Sequence, residues 1–488
     1  MIMKDVIGRM LSVAVVILAL LSLVPAVRCE ACFSIVVGKD ASADGYVIMA
    51  HNEDDSPPQI VNHYKVPRKK YSPVEKVQLR NGGQLEQVSQ TWAYIWSEMP
   101  GMLFSDGYIN EWGVSIISDM CPSREDKPEI TDGGIGYMLR RLVAERARSA
   151  REGVLLAGKL VERFGYIDSG RTYIICDPDE GWLFCVVQGK HWLAQRVGDD
   201  HVAMVANTYT IQQVDLSDRG RFLASSDIIE YAVSRGWYNP EKDGPFDFAS
   251  AYANPGSASA FSNLGRQWTG LSYIAGEAIP LGAKLPFSVV PRRRVAVADI
   301  MQILRHDKEG MKFQPSLPNE SKRQLSCRIC SERTQTSFVT QLRKGMPLDI
   351  GIAYWVCLAS PRTSFYIPFH FGISDFPAGF RSKSERPSND FYEERVSCAF
   401  QADPLEAFWT FCNFGNKVSG ASVNTISRVK TVAERVEKNA FAFQKPLEET
   451  ARRLYTKDKP TAMQILANYS NGIYLWSLEA MVEVLAER

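Results

Sequence analysis

Two strand-forming apolar runs near the start of the chain, Phe33–Val37 and Tyr46–Ala50, constrain the fold more than any other feature. Asp40, Ser42, Asp44 and Gly45 stand between them and supply turn chemistry, so the pattern predicts a β-hairpin. The polar cluster His51-Asn52-Glu53-Asp54-Asp55 follows the second run, and Pro57-Pro58 then force a loop. A hairpin returns the chain to the edge it left. The cluster is therefore expected at the end of the second strand, beside Cys32, which precedes the first.

The residues ahead of Cys32 have the layout of a secretory signal. Lys4 and Arg9 flank Asp5, an apolar run extends from Met10 to Val27, and Pro25 and small residues follow. The best small-x-small site is Cys29-Glu30-Ala31, which cuts before Cys32. The run is about 18 residues, the lower limit for crossing a bilayer, so an uncleaved anchor is the rival reading. A lipoprotein signal would also start the mature chain at a cysteine, but it favours Leu where Cys29 stands. The expectation is a signal peptide over 1–31 and an exported protein, periplasmic or extracellular. It leaves the membrane after cleavage, or stays anchored if the leader is retained. The mature part, 32–488, is expected to be a single domain.

Composition excludes several classes. The chain has 488 residues, 45% hydrophobic, 23% charged, with formal net charge +1. Nothing here suggests disorder, a multi-span membrane protein or a basic surface for nucleic acid. Homo-oligomerisation is left open. Ten cysteines are too few for a disulfide scaffold of this length, and Cys176, Cys185 and Cys357 sit in apolar runs typical of buried thiols. Cys327 and Cys330 form a lone CxxC without the second pair or histidine that zinc needs, which leaves a local disulfide or a chance spacing. The six histidines show no metal-ligand spacing. There is no GxSxG and no phosphate-binding loop, and Gly133-Gly134-Ile135-Gly136 does not match a dinucleotide fingerprint.

Further strands are expected at Thr91–Trp96, Met102–Ser105, Val114–Ser118, Tyr173–Cys176, Trp182–Val187 and Trp192–Val197. Asp132 can cap a helix running through Gly133-Gly134, with Ile135, Met138, Leu139, Leu142 and Val143 at helical spacing. A second helix carries Val154, Leu155, Ala157, Leu160, Val161 and Phe164 and stops at Gly165. Residues 306–326 read as an exposed polar connection. Strands resume at Thr334–Leu342, Ile350–Leu358 and Phe365–Phe369, and the chain is mainly helical from about 418 to 488. Strands, then helices, then strands predict an α+β fold with helices segregated onto sheet faces.

A cysteine exposed as the first residue carries its own base. Its α-amino group, with an ordinary pKa near 7.7–8.0, can take the proton of a thiol near 8.5 and return it to a leaving amine. Asp54 could hold that amine, and His51 or Asn52 could orient its neighbours. Asn207, after the apolar stretch ending Val205-Ala206, could supply an oxyanion donor. The bland alternatives are a solvated charged loop for His51–Asp55 and a turn asparagine at Asn207.

Long segments carry a resemblance: CFSIVVGKDASADGYVIMAHNEDD, MPGMLFSDGYINEWGVSIISDMCPSRED, TDGGIGYMLRRLVAERARSAREGV, SGRTYIICDPDEGWLFCVVQGKHWLAQRV and TQTSFVTQLRKGMPLDIGIAYWVCLASPRTSFYIPFH. Together they resemble dipeptidase A-type cysteine dipeptidases, relatives of the secernins. The resemblance implies an N-terminal-nucleophile hydrolase, a four-layer αββα sandwich of two stacked antiparallel sheets. It implies broad cleavage of dipeptide substrates without metal or organic cofactor. The nucleophile falls on Cys32, the amine-holding carboxylate on Asp54 and the oxyanion amide on Asn207. A backbone N–H near Met120 is the second oxyanion donor. More distant relatives, penicillin V acylase and bile salt hydrolase, have arginine where His51 stands, before Asn52. A further arginine of theirs is matched to Arg266. Two alternatives accompany this reading: a linear-amide acylase, and a membrane-anchored, non-catalytic binding protein on the same fold.

Overall fold

The two apolar runs pair as a hairpin. Phe33–Val37 (β1) and Val47–Asp54 (β2) are antiparallel, with Ser34 opposite His51 and Phe33 opposite Asn52. The computed structural model describes residues 32–100, 104–280, 283–307, 327–381, 399–421 and 423–486; the expected signal peptide and most of the expected polar connection at 306–326 lie outside them. The second strand runs four residues past its apolar part. His51, Asn52, Glu53 and Asp54 are strand residues at most 2% exposed, not a solvated loop. The reason is position. β2 lies between β1 and the Thr334–Leu342 strand, so both its edges are hydrogen-bonded whatever its side chains are.

Among the described residues the strands form two large antiparallel sheets. The seven-stranded one runs Ser288–Val289, Val202–Val205, β1, β2, Thr334–Leu342, Ile352–Leu358, Ile367–His370. The eight-stranded one runs Phe222–Ala224, Trp192–Arg196, Gly181–Gly189, Tyr166–Cys176, Ser115–Met120, Phe104–Asn110, Tyr94–Met99, Asn62–Val66.

Side-chain alternation sorts the layers. In Tyr166–Cys176, Ile174 and Cys176 join the core between the sheets, while Tyr173 and Ile175 join the core under the helices Met138–Arg146 and Ala150–Phe164. Helices Phe261–Ala275 and Val297–Leu304 contact the seven-stranded sheet, as does the terminal helix Lys459–Ala486. The result is the expected αββα sandwich.

Several element boundaries differ from expectation: the strand expected at Tyr173–Cys176 begins at Tyr166, and that expected at Thr91–Trp96 runs Tyr94–Met99. The first helix begins at Met138, not at Asp132, because Asp132, Gly133 and Gly134 all have positive φ (50°, 79° and 77°) and form a loop. The C-terminal helices begin at Ala407, ahead of residue 418, with Ala407–Ser419 packed on Ile352–Leu358. Cys327 and Cys330 are both free thiols.

Helix Phe261–Ala275 sits unusually close to the sheet. A Cβ on Gly270 would stand 2.3 Å from Met204 Sδ and 3.3 Å from Phe33 Cζ. Close approach at Gly270 sets the height of Arg266, one turn earlier, over the end of β1. Gly270→Val is expected to lower stability by about 1–3 kcal/mol through overpacking, measured by urea unfolding. An unchanged midpoint would show that the helix is free to lift.

Candidate active site

Cys32 immediately precedes β1, and the registers on its two sides place its neighbours. On the β2 side Phe33 faces Asn52, so one residue further Cys32 faces Glu53. On the other side Ser34 faces Val205, so two residues further Cys32 faces Asn207. The thiol donates to Glu53 Oε1 at 3.2 Å and lies 3.9 Å from the carbonyl oxygen of Asp54.

Arg266 locks the other side. Its Nη1 donates to the Cys32 carbonyl (2.8 Å) and its Nη2 to Asn207 Oδ1 (2.8 Å) and Asn263 Oδ1 (3.0 Å). A guanidinium only donates, so the amide oxygen of Asn207 must face it. The amide nitrogen then faces the opposite way and donates to Met120 O at 3.0 Å, with its second N–H still to place. Asn207 holds a left-handed backbone (φ 46°), a conformation asparagine tolerates better than most residues. Met120 thus contacts the site through its carbonyl, an acceptor, where a backbone donor was expected. The next amide, Cys121 N–H, is committed to Gly170 O.

β2 divides its polar residues between its two faces. His51 and Glu53 point between the sheets; Asn52 points to the helix side and donates to Leu304 O (2.9 Å) and Ile329 O (3.2 Å), a structural role away from the thiol. Asp54 accepts from Ser331 Oγ at 3.3 Å, while its Oδ1 is buried without a hydrogen-bond partner among the described residues. Burial pushes the Asp54 carboxyl up to about 6, against the opposing pull of Thr334 and Arg266.

Sequence reading did not single out Ser34, Asp106 or Asp119, and assigned Glu53 no role. Ser34 Oγ donates to Asp119 Oδ2 (2.5 Å), so its hydrogen is spent and His51 Nδ1, 2.9 Å away, must donate to it. His51 Nε2 donates to Glu53 Oε2 at 3.0 Å and lies 3.3 Å from Asp106 Oδ1. With Glu53 and Asp119 ionised, this hydrogen bonding makes the ring an imidazolium. Burial opposes that charge, but the Glu53 hydrogen bond and the charges of Asp106 and Asp119 outweigh it and lift the ring to about 9. Glu53, against its burial, is held below the ordinary carboxylate range by His51. Burial raises Asp106 to about 7 and Asp119 to about 6, with His51 pulling both down. For Asp119 the available signal was a charged residue in the apolar strand pattern Ser115–Met120.

Cys32 Sγ, a His51 nitrogen and a Glu53 oxygen come within 4.8 Å of one another, a ligand set of the kind zinc takes. The sequence spacing gave no sign of it. In the hydrogen-bonded arrangement the three groups satisfy one another directly.

A thiol between a carboxylate and an oriented amide, at the end of a strand in an αββα sandwich, is the equipment of an acyl-transferring hydrolase. The profile described as Peptidase family C69 matches residues 31–401, and the chain belongs to that family of peptide-bond hydrolases. Similar proteins include a "Probable dipeptidase" of Latilactobacillus sakei, 25% identical over 379 residues, spanning 74% of this chain and 78% of that protein. Another "Probable dipeptidase", of Salmonella dublin, is 26% identical over 364 residues, spanning 72% and 83%. Among solved structures, penicillin V acylase from Agrobacterium tumefaciens matches with a TM-score of 0.35 at 12% identity, spanning 72% of this chain and 89% of that one.

The buried charges give stability a direction with pH. Asp54, Asp106 and Asp119 bind their protons more tightly folded than unfolded, so their contribution falls as pH rises from about 4 to about 7; that of His51 is full below about 6.5 and lost through about 9. From pH 5 to pH 9 these four groups therefore favour unfolding, while His63, His306 and Lys65, whose pKa values burial lowers, act the other way. Asp106→Asn removes one of the four, so the Tm of the variant relative to the unaltered protein is expected to rise from pH 5 to pH 9, as read by calorimetry. A Tm difference that stays flat or falls over that range would contradict this assignment.

Proposed function

We propose that the chain is an exported cysteine dipeptidase whose nucleophile is Cys32, freed as the first residue when 1–31 are removed. The observation that carries this reading is the Arg266 bridge, which binds the Cys32 carbonyl and orients the Asn207 amide with one guanidinium. The α-amine of Cys32 takes the thiol proton, and Sγ attacks the scissile carbonyl of the dipeptide. Charge develops on the carbonyl oxygen, where the free N–H of Asn207 stabilises it. The α-ammonium gives its proton to the leaving amine, and the C–N bond breaks to a thioester. Water, deprotonated by the α-amine, then hydrolyses the thioester and the thiol is restored. Asp54 is the carboxylate that holds the amine, and its unpartnered Oδ1 is the acceptor it offers.

Family membership and the names of the relatives support peptide hydrolysis; the preference for dipeptides and the route of export are this proposal's own. N-terminal sequencing of the exported, active protein is expected to begin at Cys32. Active enzyme starting at Met1 would overturn the mechanism, because the nucleophile would then lack a free amine.

Two variants test the roles on a dipeptide panel. Cys32→Ala is expected to abolish turnover with the fold intact by circular dichroism. Asn207→Gly, chosen because glycine accepts the left-handed backbone, is expected to lower kcat by about 10²–10³-fold. Full activity in Cys32→Ala would end the thiol mechanism, and unchanged kcat in Asn207→Gly would remove that residue from the oxyanion site.

A further inference from the structure

We propose that Glu53 is the subsite for the free α-ammonium group of the substrate. The inference rests on the reading of Cys32 as nucleophile and adds to it the feature that selects an unblocked N-terminus.

Geometry places the carboxylate. Glu53 Oε1 is 3.2 Å from Sγ, on the face of β2 that points between the sheets. In a dipeptide the attacked carbonyl belongs to the N-terminal residue. Once Sγ bonds to that carbon, the α-nitrogen is three bonds from the sulfur, about 3–4 Å away by ordinary bond lengths. Oε1 stands at a similar distance from the same sulfur, so the two atoms can lie within hydrogen-bond reach of each other.

The carboxylate is also pinned. Its Oε2 is held by His51 Nε2 at 3.0 Å, and His51 is held in turn by Ser34, itself bonded to Asp119. Only Oε1 remains directed at the sulfur. Its donor in the resting site is the thiol hydrogen, and attack removes that hydrogen. A buried carboxylate oxygen without a donor is costly. A substrate ammonium arriving as the thiol proton leaves restores the bond, so the interaction strengthens as the reaction proceeds. An N-acylated substrate brings a neutral amide N–H and added bulk to the same oxygen.

The other carboxylates are less suited. Asp54 lies on the helix side of β2 with Ser331 on its Oδ2. Asp106 and Asp119 come from the opposite sheet and face His51. Arg140 is the nearby cation that also acts on Glu53, and its Nη1 is bonded to Asp106 O.

The test compares kcat/KM for leucyl-alanine and N-acetyl-leucyl-alanine in the mature enzyme and in Glu53→Gln, with Glu53→Asp as the charge-retaining control. The unaltered enzyme should favour the free amine. Glu53→Gln should lower kcat/KM for leucyl-alanine by about 10- to 100-fold more than for the acetylated substrate, the size of a lost charged hydrogen bond. Glu53→Asp should keep part of the preference. Equal losses on both substrates, or an unchanged ratio, would overturn the assignment. If Glu53→Gln does not fold, the unaltered enzyme is assayed with the analogue carrying a hydroxyl in place of the α-amine. At least a tenfold loss supports the subsite, and equal turnover overturns it. Cys32→Ala is run alongside. Turnover surviving in Cys32→Ala sinks the nucleophile and with it the subsite, whereas an inactive Cys32→Ala with an unchanged ratio in Glu53→Gln sinks the subsite alone.

Discussion

β1 is hydrogen-bonded along both edges, to β2 and to the Val202–Val205 strand, and the site depends on that double pairing. Side chains alternate with a period of two. A slip of one residue on the β2 edge would put Asn52 or Asp54 opposite Cys32 and turn Glu53 away; a slip on the other edge would do the same to Asn207. What prevents slippage is burial. Phe33, Ile35, Val36 and Val37 are all within the core, and moving them by one position would exchange their two faces.

The same pairing explains how the protein carries charge so deep between its sheets. Backbone hydrogen bonds on both edges leave β2 free to hold polar side chains, and on its inner face His51 and Glu53 satisfy each other. The chain of donors runs from His51 to Ser34 to Asp119 on one side and from His51 and Cys32 to Glu53 on the other. Such a network is unfavourable to assemble from isolated charges, and breaking one member strands the others. Its effect is that Glu53 stays ionised beside the thiol while Asp106 and Asp119 are pushed toward neutrality.

Much of the framework was legible from residue order. The turn chemistry between Phe33 and Val47 predicted the hairpin, and alternating apolar residues predicted the paired strands that follow. The gathering of His51–Asp54 near Cys32 also followed, since a hairpin is a local structure. The division of that cluster between two faces did not. Asn52 serves the helix Val297–Leu304, and His51 serves the opposite sheet, because strand continuation past Ala50 was decided by neighbouring strands rather than by the apolar pattern. Asp132 misled for a related reason. A good cap residue precedes two glycines whose positive φ values are incompatible with helix.

Sequence by itself determined the hairpin, the two-sheet class of fold with helices on its faces, and the resemblance that ranked Cys32, Asp54 and Asn207 above other polar residues. Tertiary structure alone decided which distant groups gather around Cys32. Arg266 reaches Cys32 across 234 positions, Asn207 reaches Met120 across 87, and Ser34 reaches Asp119 across 85. Local propensity acts over a few residues, whereas these contacts come from sheet register, sheet stacking and the close seating of one helix, and those are set by the packing of the whole core.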